Sequence, residues 1–203
     1  MIIAGAGGHS LEVLALIQGS YSFRELAFYD EIPRGLDSLN RFQILKTKDE
    51  VREKFQSNPE FCLGIGNPSL REKFDREFTD LGGELTPILA QSSVIQSEAK
   101  FADVLSFGFI GPKVNLGRGV LVNTRASIHH ECEIGEYSEI GPGAILLGKV
   151  KIGKKCRIGA GAVILPGITL GDEVVVGAGA VVTANMESSV VVAGVPAKKI
   201  NQG

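Results

Sequence analysis

The chain has 203 residues, enough for one large domain or two small ones. Its 21 basic and 23 acidic residues leave a formal net charge of −2. Nucleic-acid-binding domains usually carry a basic face, and this balance of charges does not predict one.

The sequence also gives no sign of a secretory or membrane-spanning segment. The first ten residues, MIIAGAGGHS, lack the basic start of a signal peptide and reach glycine early. The longest apolar run, at 174–184, is too short and too rich in glycine to span a bilayer. Cys62, Cys132 and Cys156 have no CxxC spacing, and their odd number argues against a disulfide framework. We therefore expect a cytoplasmic protein that does not insert into membranes.

Residues 1–87 alternate between short apolar strands and helix-like segments. The strands are MIIAG, LAFYD and FCLGIG, and the helical segments are LEVLALI and the ranges 47–56 and 68–81. Strands that alternate with helices predict a parallel sheet. We expect residues 1–87 to form a small Rossmann-like α/β domain.

A glycine loop, GAGGHS, follows the first strand. Gly5 and Gly7 hold the first two glycine places of G-x-G-x-x-G, whereas Ser10 replaces the third. A glycine turn before a helix leaves backbone N–H groups free for an anion. Asp30 and the GIGN turn at 64–67 lie at the ends of the next two predicted strands, where such sheets bind ligands. The pattern favours a nucleotide site of mononucleotide size, and a tight turn without a ligand is the alternative.

The rest of the chain has a six-residue period. A helix of 3.6 residues per turn cannot keep this period, whereas short strands joined by tight turns can. The pattern is typical of a parallel β-helix, which we expect over residues 88–203 with an irregular first coil. Fourteen consecutive positions carry Val, Ile or Leu: Val104, Ile110, Leu116, Val122, Ile128, Ile134, Ile140, Leu146, Ile152, Ile158, Ile164, Leu170, Val176 and Val182.

Two of the three histidines stand side by side within these repeats. His130 occupies the third place after Ile128, so we expect it in a turn and outside the core. An imidazole is suited to act as a general base near neutral pH, and the adjacent Glu131 can orient it. A pair of surface histidines in a polar turn is the alternative interpretation.

Several motifs together resemble a known family. They are GAGGHS, FYDE, GIGN, NTRASIHHECEIG and AGVPAKKI, and they extend over nearly the whole chain. The chain resembles the acetyl-CoA-dependent sugar-nucleotide acetyltransferases of the sialic acid O-acetyltransferase and bacillosamine-pathway N-acetyltransferase family. This resemblance implies a left-handed β-helix that forms a homotrimer, with acetyl-CoA between neighbouring β-helices. It also implies that the sugar nucleotide lies on the N-terminal domain.

The resemblance further implies roles for particular residues. It makes His130 the catalytic base beside Glu131, adds Asn123 to the catalytic set, and places the backbone N–H of Gly148 at the thioester carbonyl. It implies no metal. The sugar nucleotide is assigned to Gly5, Gly7, Gly8, His9, Asp30, Glu31, Gly66 and Asn67. Coenzyme A is assigned to Gly148, Gly159, Ala160, Gly177, Ala178 and Lys198.

Two positions depart from the family pattern. Glu139 and Ala90 stand where the family commonly has histidines, and a carboxylate at 139 is expected to repel a phosphate. The substrate or its pose is therefore expected to differ from that of the best-known members.

The expected reaction is acetyl transfer from acetyl-CoA to a nucleotide-linked sugar, of the 4-amino-4,6-dideoxy type, for surface glycan or glycoprotein synthesis. O-acetylation of sialic acid or a similar sugar is one alternative, and a non-catalytic nucleotide-binding scaffold is another. A γ-type carbonic anhydrase needs three zinc-binding histidines, and the repeats contain only His129 and His130.

Overall fold

The protein is described by a computed structural model that covers residues 1–18, 25–31, 39 and 41–200. The chain divides into two compact units, Met1–Ile88 and Leu89–Gly203. The described residues form three helices, namely α1 (Gly8–Ile17), α2 (Lys48–Phe55) and α3 (Pro68–Asp80). None of these helices has the length and apolar character that a membrane crossing requires.

The first unit contains a five-stranded parallel sheet. Its strands are β1 (Ile2–Ala4), β2 (Ala27–Tyr29), β3 (Gln43–Leu45), β4 (Glu60–Leu63) and β5 (Glu84–Leu85), in the order β3-β2-β1-β4-β5. The predicted Rossmann-like α/β fold is confirmed. The sequence did not reveal the edge strands β3 and β5, because they begin with the exposed polar residues Gln43 and Glu84 and lack the continuous apolar run of β1 and β2. The strand order reverses between β1 and β4, which is where such sheets bind ligands.

Helices α2 and α3 both begin with a side-chain cap. Thr47 accepts a hydrogen bond from the backbone N–H of Glu50 and forms a capping box with it at the start of α2. Asn67 accepts one from the backbone N–H of Leu70 at 3.1 Å, and Pro68 occupies the first turn of α3. These caps fix the entry points of the chain around the sheet.

The second unit is a parallel β-helix made of short strands. Its strands lie in three sheets: one of seven strands, one of six and one of four. The seven-stranded sheet contains β7 (Asp103–Val104), β10 (Leu121–Val122), β13 (Glu139–Ile140), β16 (Arg157–Ile158), β19 (Val175–Val176), β21 (Val191–Ala193) and β22 (Lys198–Lys199). The six-stranded sheet contains β6 (Val94–Ile95), β8 (Phe109–Ile110), β11 (Ser127–Ile128), β14 (Ile145–Leu146), β17 (Val163–Ile164) and β20 (Val181–Val182). The four-stranded sheet contains β9 (Asn115–Leu116), β12 (Glu133–Ile134), β15 (Lys151–Ile152) and β18 (Thr169–Leu170).

Between the shorter first and last coils, each coil of this β-helix takes 18 residues. Ile128 pairs with Leu146 and Ile134 pairs with Ile152, so a residue lies beside the one 18 positions later. Thirteen of the fourteen periodic aliphatic residues are buried at 4% exposure or less. Leu116 is half-buried, because β9 is the edge strand of its sheet and no strand pairs on its outer side.

The turns also repeat every six residues. A left-handed φ recurs at this spacing from Phe107 to Gly179, and Glu131 has one of 59°. Such a conformation in a non-glycine residue can mark a functional site. Here it is a property of every turn, so the backbone of Glu131 carries no special meaning.

Candidate active site

A cavity of about 480 Å³ lies at the reversal point of the first sheet. It is bordered by the loop after β1 and the loop after β4, and its lining residues are Gly5, Ala6, Gly7, Gly8, His9, Asp30, Glu31, Gly64, Ile65, Gly66, Leu70, Lys73 and Phe74. Seven of the eight residues that the family resemblance assigned to the sugar nucleotide therefore line one cavity. Asn67 does not, because its side-chain oxygen caps α3.

The glycine loop is shaped by close contacts that exclude side chains. Gly5 has a φ of +107°, and a Cβ there would lie 2.6 Å from Cγ1 of Ile65. A Cβ on Gly64 would lie 2.9 Å from Cβ of Ser10. Ser10 is buried and its hydroxyl donates to the carbonyl of Gly7 at 2.5 Å, so it packs helix against strand where the fingerprint has its third glycine. A Cβ on Gly7 would meet nothing within 4 Å, which leaves the loop open to a ligand.

Two polar side chains of the cavity already have partners. Asp30 accepts a hydrogen bond through Oδ2 from the backbone N–H of Ala6 at 3.3 Å. His9 contacts Oε2 of Glu12 through Nδ1 at 2.9 Å, whereas its buried Nε2 has no hydrogen-bond partner within the described residues. Nε2 of His9 is therefore a buried polar atom without a partner among the described residues.

Arg71, the arginine of the GIGN…R motif, holds the second loop, a role that sequence reasoning did not assign to it. This arginine is fully buried and donates through Nη1 to the carbonyl oxygens of Ile65, at 2.7 Å, and Leu63, at 3.3 Å. A buried guanidinium is costly unless its donors are bonded, so Arg71 fixes the shape of the GIGN turn. The signal was present as an arginine one helical turn after that motif.

In the β-helix, His130 and Glu131 form a pair in the turn between β11 and β12. Nδ1 of His130 lies 3.0 Å from Oε1 of Glu131, and the two side chains are 54% and 44% exposed. The hydrogen bond from His130, and then the charges of Lys149 and Lys113, hold the pKa of the Glu131 carboxyl below its usual value. An ionised Glu131 accepts a hydrogen bond from the Nδ1–H of His130. The proton therefore stays on Nδ1, and Nε2 is left as the basic nitrogen.

Lys149 lies one coil beyond Glu131. Its Nζ is 3.9 Å from Oε2, so Glu131 contacts His130 with one oxygen and Lys149 with the other. Sequence reasoning missed this lysine, although the 18-residue coil pairs positions 131 and 149.

Gly148 lies one coil beyond His130. A Cβ on Gly148 would be 2.5 Å from Cε1 and Nε2 of the His130 ring, so the imidazole occupies the space that a side chain would fill. The backbone N–H of Gly148 has no acceptor within the part of the chain that the structure describes. A hydrogen-bond donor thus lies beside the basic nitrogen.

Apart from Gly148, which lies beside His130, the residues assigned to coenzyme A form a separate column. Gly159 and Ala160 line a groove of about 290 Å³ that follows β16. A Cβ on Gly159 would lie 2.5 Å from the backbone nitrogen of Ala178, and one on Gly177 would lie 2.9 Å from Cβ of Ala193. Ala193 in turn pairs with Lys198. The structure therefore brings Gly159, Ala160, Gly177, Ala178 and Lys198 together along one edge of the seven-stranded sheet.

This column is not on the same edge of the β-helix as His130. Asn123 follows β10 and precedes β11, so it lies on the edge that carries Gly159 and Gly177. His130 follows β11 and lies at the other end of that strand. Asn123 is 8% exposed, and its Oδ1 accepts from the backbone N–H of Thr124 at 2.8 Å. Within one chain, the base and the column that runs from Gly159 to Lys198 are separated by the width of the six-stranded sheet.

The two departures from the family pattern have structural partners. Oε2 of Glu139 lies 3.3 Å from Nε of Arg157, one coil later, so the expected repulsion of a phosphate is offset by a cation that sequence reasoning overlooked. Ala90 is buried and its carbonyl accepts from Ser93. Across the described ranges, no three His, Cys, Asp or Glu side chains are grouped so that they could hold a metal ion.

Both units match known families. Residues 1–78 match the family described as the PglD N-terminal domain, and residues 149–184 match the hexapeptide repeat of succinyl-transferase. GDP-perosamine N-acetyltransferase of Escherichia coli O157:H7 is 28% identical over 156 residues, which cover 73% of this chain and 70% of that protein.

Solved structures resemble the whole chain. The acetyltransferase domain of PglB from Neisseria gonorrhoeae is 30% identical with a TM-score of 0.85, and 98% of each chain is covered. PerB from Caulobacter crescentus, solved in complex with CoA and GDP-perosamine, is 27% identical with a TM-score of 0.87 and coverages of 98% and 96%. The chain therefore belongs to the family of hexapeptide-repeat sugar N-acetyltransferases with a PglD-type N-terminal domain. It is an acyltransferase by family, as the resemblance of its motifs predicted.

The contact between His130 and Gly148 gives a first test. In Gly148→Ala the new methyl group would overlap the His130 ring, so the ring must turn away from its position beside the N–H. We expect acetyl transfer to fall by about 10-fold or more, up to the 10²–10⁴-fold that complete loss of a positioned base costs. The measurement is kcat by release of free thiol from acetyl-CoA.

Gly167→Asn is the matched control for this substitution. Gly167 lies in the same turn one coil later, in line with Lys149, a Cβ there would meet nothing within 4 Å, and asparagine tolerates its left-handed φ of +72°. This variant should keep kcat within about 3-fold. Equal losses in both variants would mean that any added side chain disturbs the turn and that the His130 contact is unimportant.

Proposed function

We propose that this protein transfers the acetyl group of acetyl-CoA to the amino group of a nucleotide-linked 4-amino-4,6-dideoxy sugar. The observation that carries the proposal is the exposed His130–Glu131 pair beside the unpaired N–H of Gly148. A scaffold that only binds nucleotides has no use for a basic nitrogen next to an oxyanion donor. Relatives named as N-acetyltransferases support an amine acceptor over the hydroxyl of an O-acetyltransferase.

The geometry supplies the parts that acyl transfer needs. The sugar amine attacks the thioester carbonyl while Nε2 of His130 accepts its proton. The negative charge that develops on the carbonyl oxygen is met by the N–H of Gly148, and one such donor is worth roughly 3–4 kcal/mol. The C–S bond then breaks, and the thiolate of coenzyme A takes the proton from His130. Glu131 stabilises the imidazolium that exists between these steps.

The cavity of the first unit suits the sugar nucleotide. Its glycine loop leads into α1, and the positive end of a helix favours the diphosphate. Gly7 and Gly8 leave open space above the loop, so the phosphates can approach the backbone. His9 lines the same cavity, and its buried Nε2 has no partner among the described residues.

We infer that the enzyme works as a homotrimer. One chain places His130 and the Gly159–Lys198 column on different edges, so a second chain must bring such a column to each His130. The six-stranded sheet offers a contact surface, because its outward strand positions include Phe109, Ile145, Val163 and Val181. The corresponding positions of the four-stranded sheet are polar, with Glu133 and Lys151 paired at 2.9 Å. A closed ring of three copies gives three equal sites.

The proposal places the reaction in the cytoplasm. Cys62, Cys132 and Cys156 are buried and free, as expected for a reducing compartment.

Substitution of the paired histidines tests the assignment of the base. His130→Ala should lower kcat by about 10²–10⁴-fold, because the attacking amine loses its proton acceptor. Glu131→Gln should cost less, since the base is still present but less well oriented. The rates are measured by thiol release, and acetyl-CoA binding by calorimetry should stay close to that of the wild type.

His129→Ala is the matched control within the same turn. His129 is half-buried and packs against Phe109, with ring centroids 5.7 Å apart. Its loss should leave kcat within a few-fold. An inactive His129→Ala with an active His130→Ala would show that the base had been assigned to the wrong histidine.

The assembly can be tested through the apolar outward face. Val163→Glu places a charge among residues that we expect to be covered in the trimer, so the variant should dissociate and lose activity. Thr169→Glu puts the same charge on the exposed polar sheet and should change neither property. Light scattering should give about three times the 21.5 kDa chain mass for the wild type and the control. A fully active monomer would contradict the proposal.

Asp30 provides a test that is confined to the nucleotide cavity. Asp30→Ala removes the acceptor that holds the N–H of Ala6, so the glycine loop loses a fixed shape. We expect the KM for the sugar nucleotide to rise by about 10-fold, as for a lost hydrogen bond to a charged group. The KM for acetyl-CoA should stay nearly constant, and Asp80→Ala, on an exposed part of α3, should affect neither. A parallel rise in both KM values would count against the assignment.

A further inference from the structure

The cavity of the first unit has a second region beyond the glycine loop. An apolar wall is formed by Ile65, Leu70 and Phe74, and the charged edge beside it carries Glu31 and Lys73. Leu70 is 44% exposed although it is a large apolar residue. An apolar wall with a few polar groups at its edge is the usual lining for a flat ligand ring. If the glycine loop holds the phosphates, this region is where the base of the nucleotide can lie.

Glu31 is held in place at this edge by two neighbours. The hydroxyl of Tyr29 donates to Oε1 of Glu31 at 3.1 Å, and Nζ of Lys73 lies 3.8 Å from the same oxygen. No described residue makes a hydrogen bond or ion pair with Oε2. Glu31 therefore has one oxygen held by its neighbours and one, Oε2, without a partner among the described residues.

Tyr29 is built to act as a donor. It is 1% exposed, and its ring packs edge-on against Phe74 and Phe78 at centroid distances of 5.7 and 5.2 Å. Burial and the hydrogen bond to Glu31 raise the pKa of Tyr29, so the hydroxyl keeps its proton throughout the working pH range. Asp30, by contrast, is already engaged with the N–H of Ala6.

The bases differ in the hydrogen-bond donors that they can offer to such a carboxylate. Guanine carries two donors side by side, N1–H and the N2 amino group, and a carboxylate can accept both. Uracil has a single N–H between two carbonyl oxygens, which a carboxylate repels. Adenine and cytosine place an amino group beside an acceptor nitrogen. Only guanine matches two adjacent acceptors on this edge.

We propose that Glu31, positioned by Tyr29, makes this enzyme selective for guanine nucleotides. This inference rests on the proposed function, because it takes the cavity to be the sugar-nucleotide site. Glu31 accepts hydrogen bonds from the edge of the base. Tyr29 is a positioning residue, because its buried hydroxyl holds the carboxylate in place.

Calorimetric titration with GDP, IDP and UDP tests the selectivity on the wild-type protein. IDP differs from GDP only by the absence of the N2 amino group, so it removes one of the two donors. GDP should bind about 10-fold or more tightly than IDP, as expected when one hydrogen bond to a charged group is lost. UDP should bind more weakly than GDP by at least as much. Equal affinities for GDP and UDP would overturn the proposal.

Two variants separate the base contact from general damage. Glu31→Gln should lower the affinity for GDP by about 10- to 100-fold and leave that for UDP unchanged. Tyr29→Phe keeps the packed ring and should lower the ratio of GDP to IDP affinity by several-fold, again at constant UDP affinity. Asp80→Asn is the matched control on an exposed part of α3 and should keep all three affinities. A GDP-to-IDP ratio that persists in Glu31→Gln would overturn the assignment to this residue.

These titrations need no acetyl transfer, so the two proposals can fail separately. Guanine-selective binding without thiol release from acetyl-CoA would refute the proposed reaction and leave this inference standing. Thiol release with amino-sugar nucleotides of any base, at equal efficiency, would confirm the reaction and refute the inference.

Discussion

The stacking of coils 18 residues apart is the constraint on which the second unit depends. Each buried aliphatic residue packs on the residue one coil above and one coil below, as Ile134 does on Ile152. No coil can bury its apolar side alone, so the register must be kept through the whole repeat. The same register decides which surface residues meet. His130 lies beside Gly148, Glu131 beside Lys149 and Glu139 beside Arg157, each because 18 residues separate them.

The register also explains why the site needs a glycine at 148. Proline fills the corresponding corner in the coils at Pro112 and Pro166, and neither carries an N–H. At His130 the ring turns toward the next coil, where any side chain would collide with it. Gly148 therefore makes room for the imidazole, and at the same time its N–H has no acceptor among the described residues. One residue type meets both requirements.

The first unit rests on a different principle, the reversal of strand order between β1 and β4. The loops after these strands diverge there and leave a cavity between them. Close contacts at Gly5 and Gly64, and the buried Arg71, hold the two loops in shape without filling the cavity. The carboxylates at its edge have divided roles, since Asp30 supports the loop while Glu31 keeps one oxygen free.

The sequence by itself determined the fold class and the columns of the β-helix, because a six-residue period fits only one regular structure and fourteen positions obey it. It also determined that His130 lies in a turn next to Glu131 and not in the core. The edge strands β3 and β5 were not predicted, because they lack the continuous apolar run of the central strands β1 and β2. Only the tertiary structure showed Lys149, Arg157 and Arg71 in their places and joined Tyr29, Glu31 and Lys73 at one cavity. It also separated Asn123 from His130, although seven residues of sequence suggest that they are close. The physical reason is that local periods fix how the chain coils, whereas contacts between side chains depend on which strands the coiling and the sheet order bring side by side.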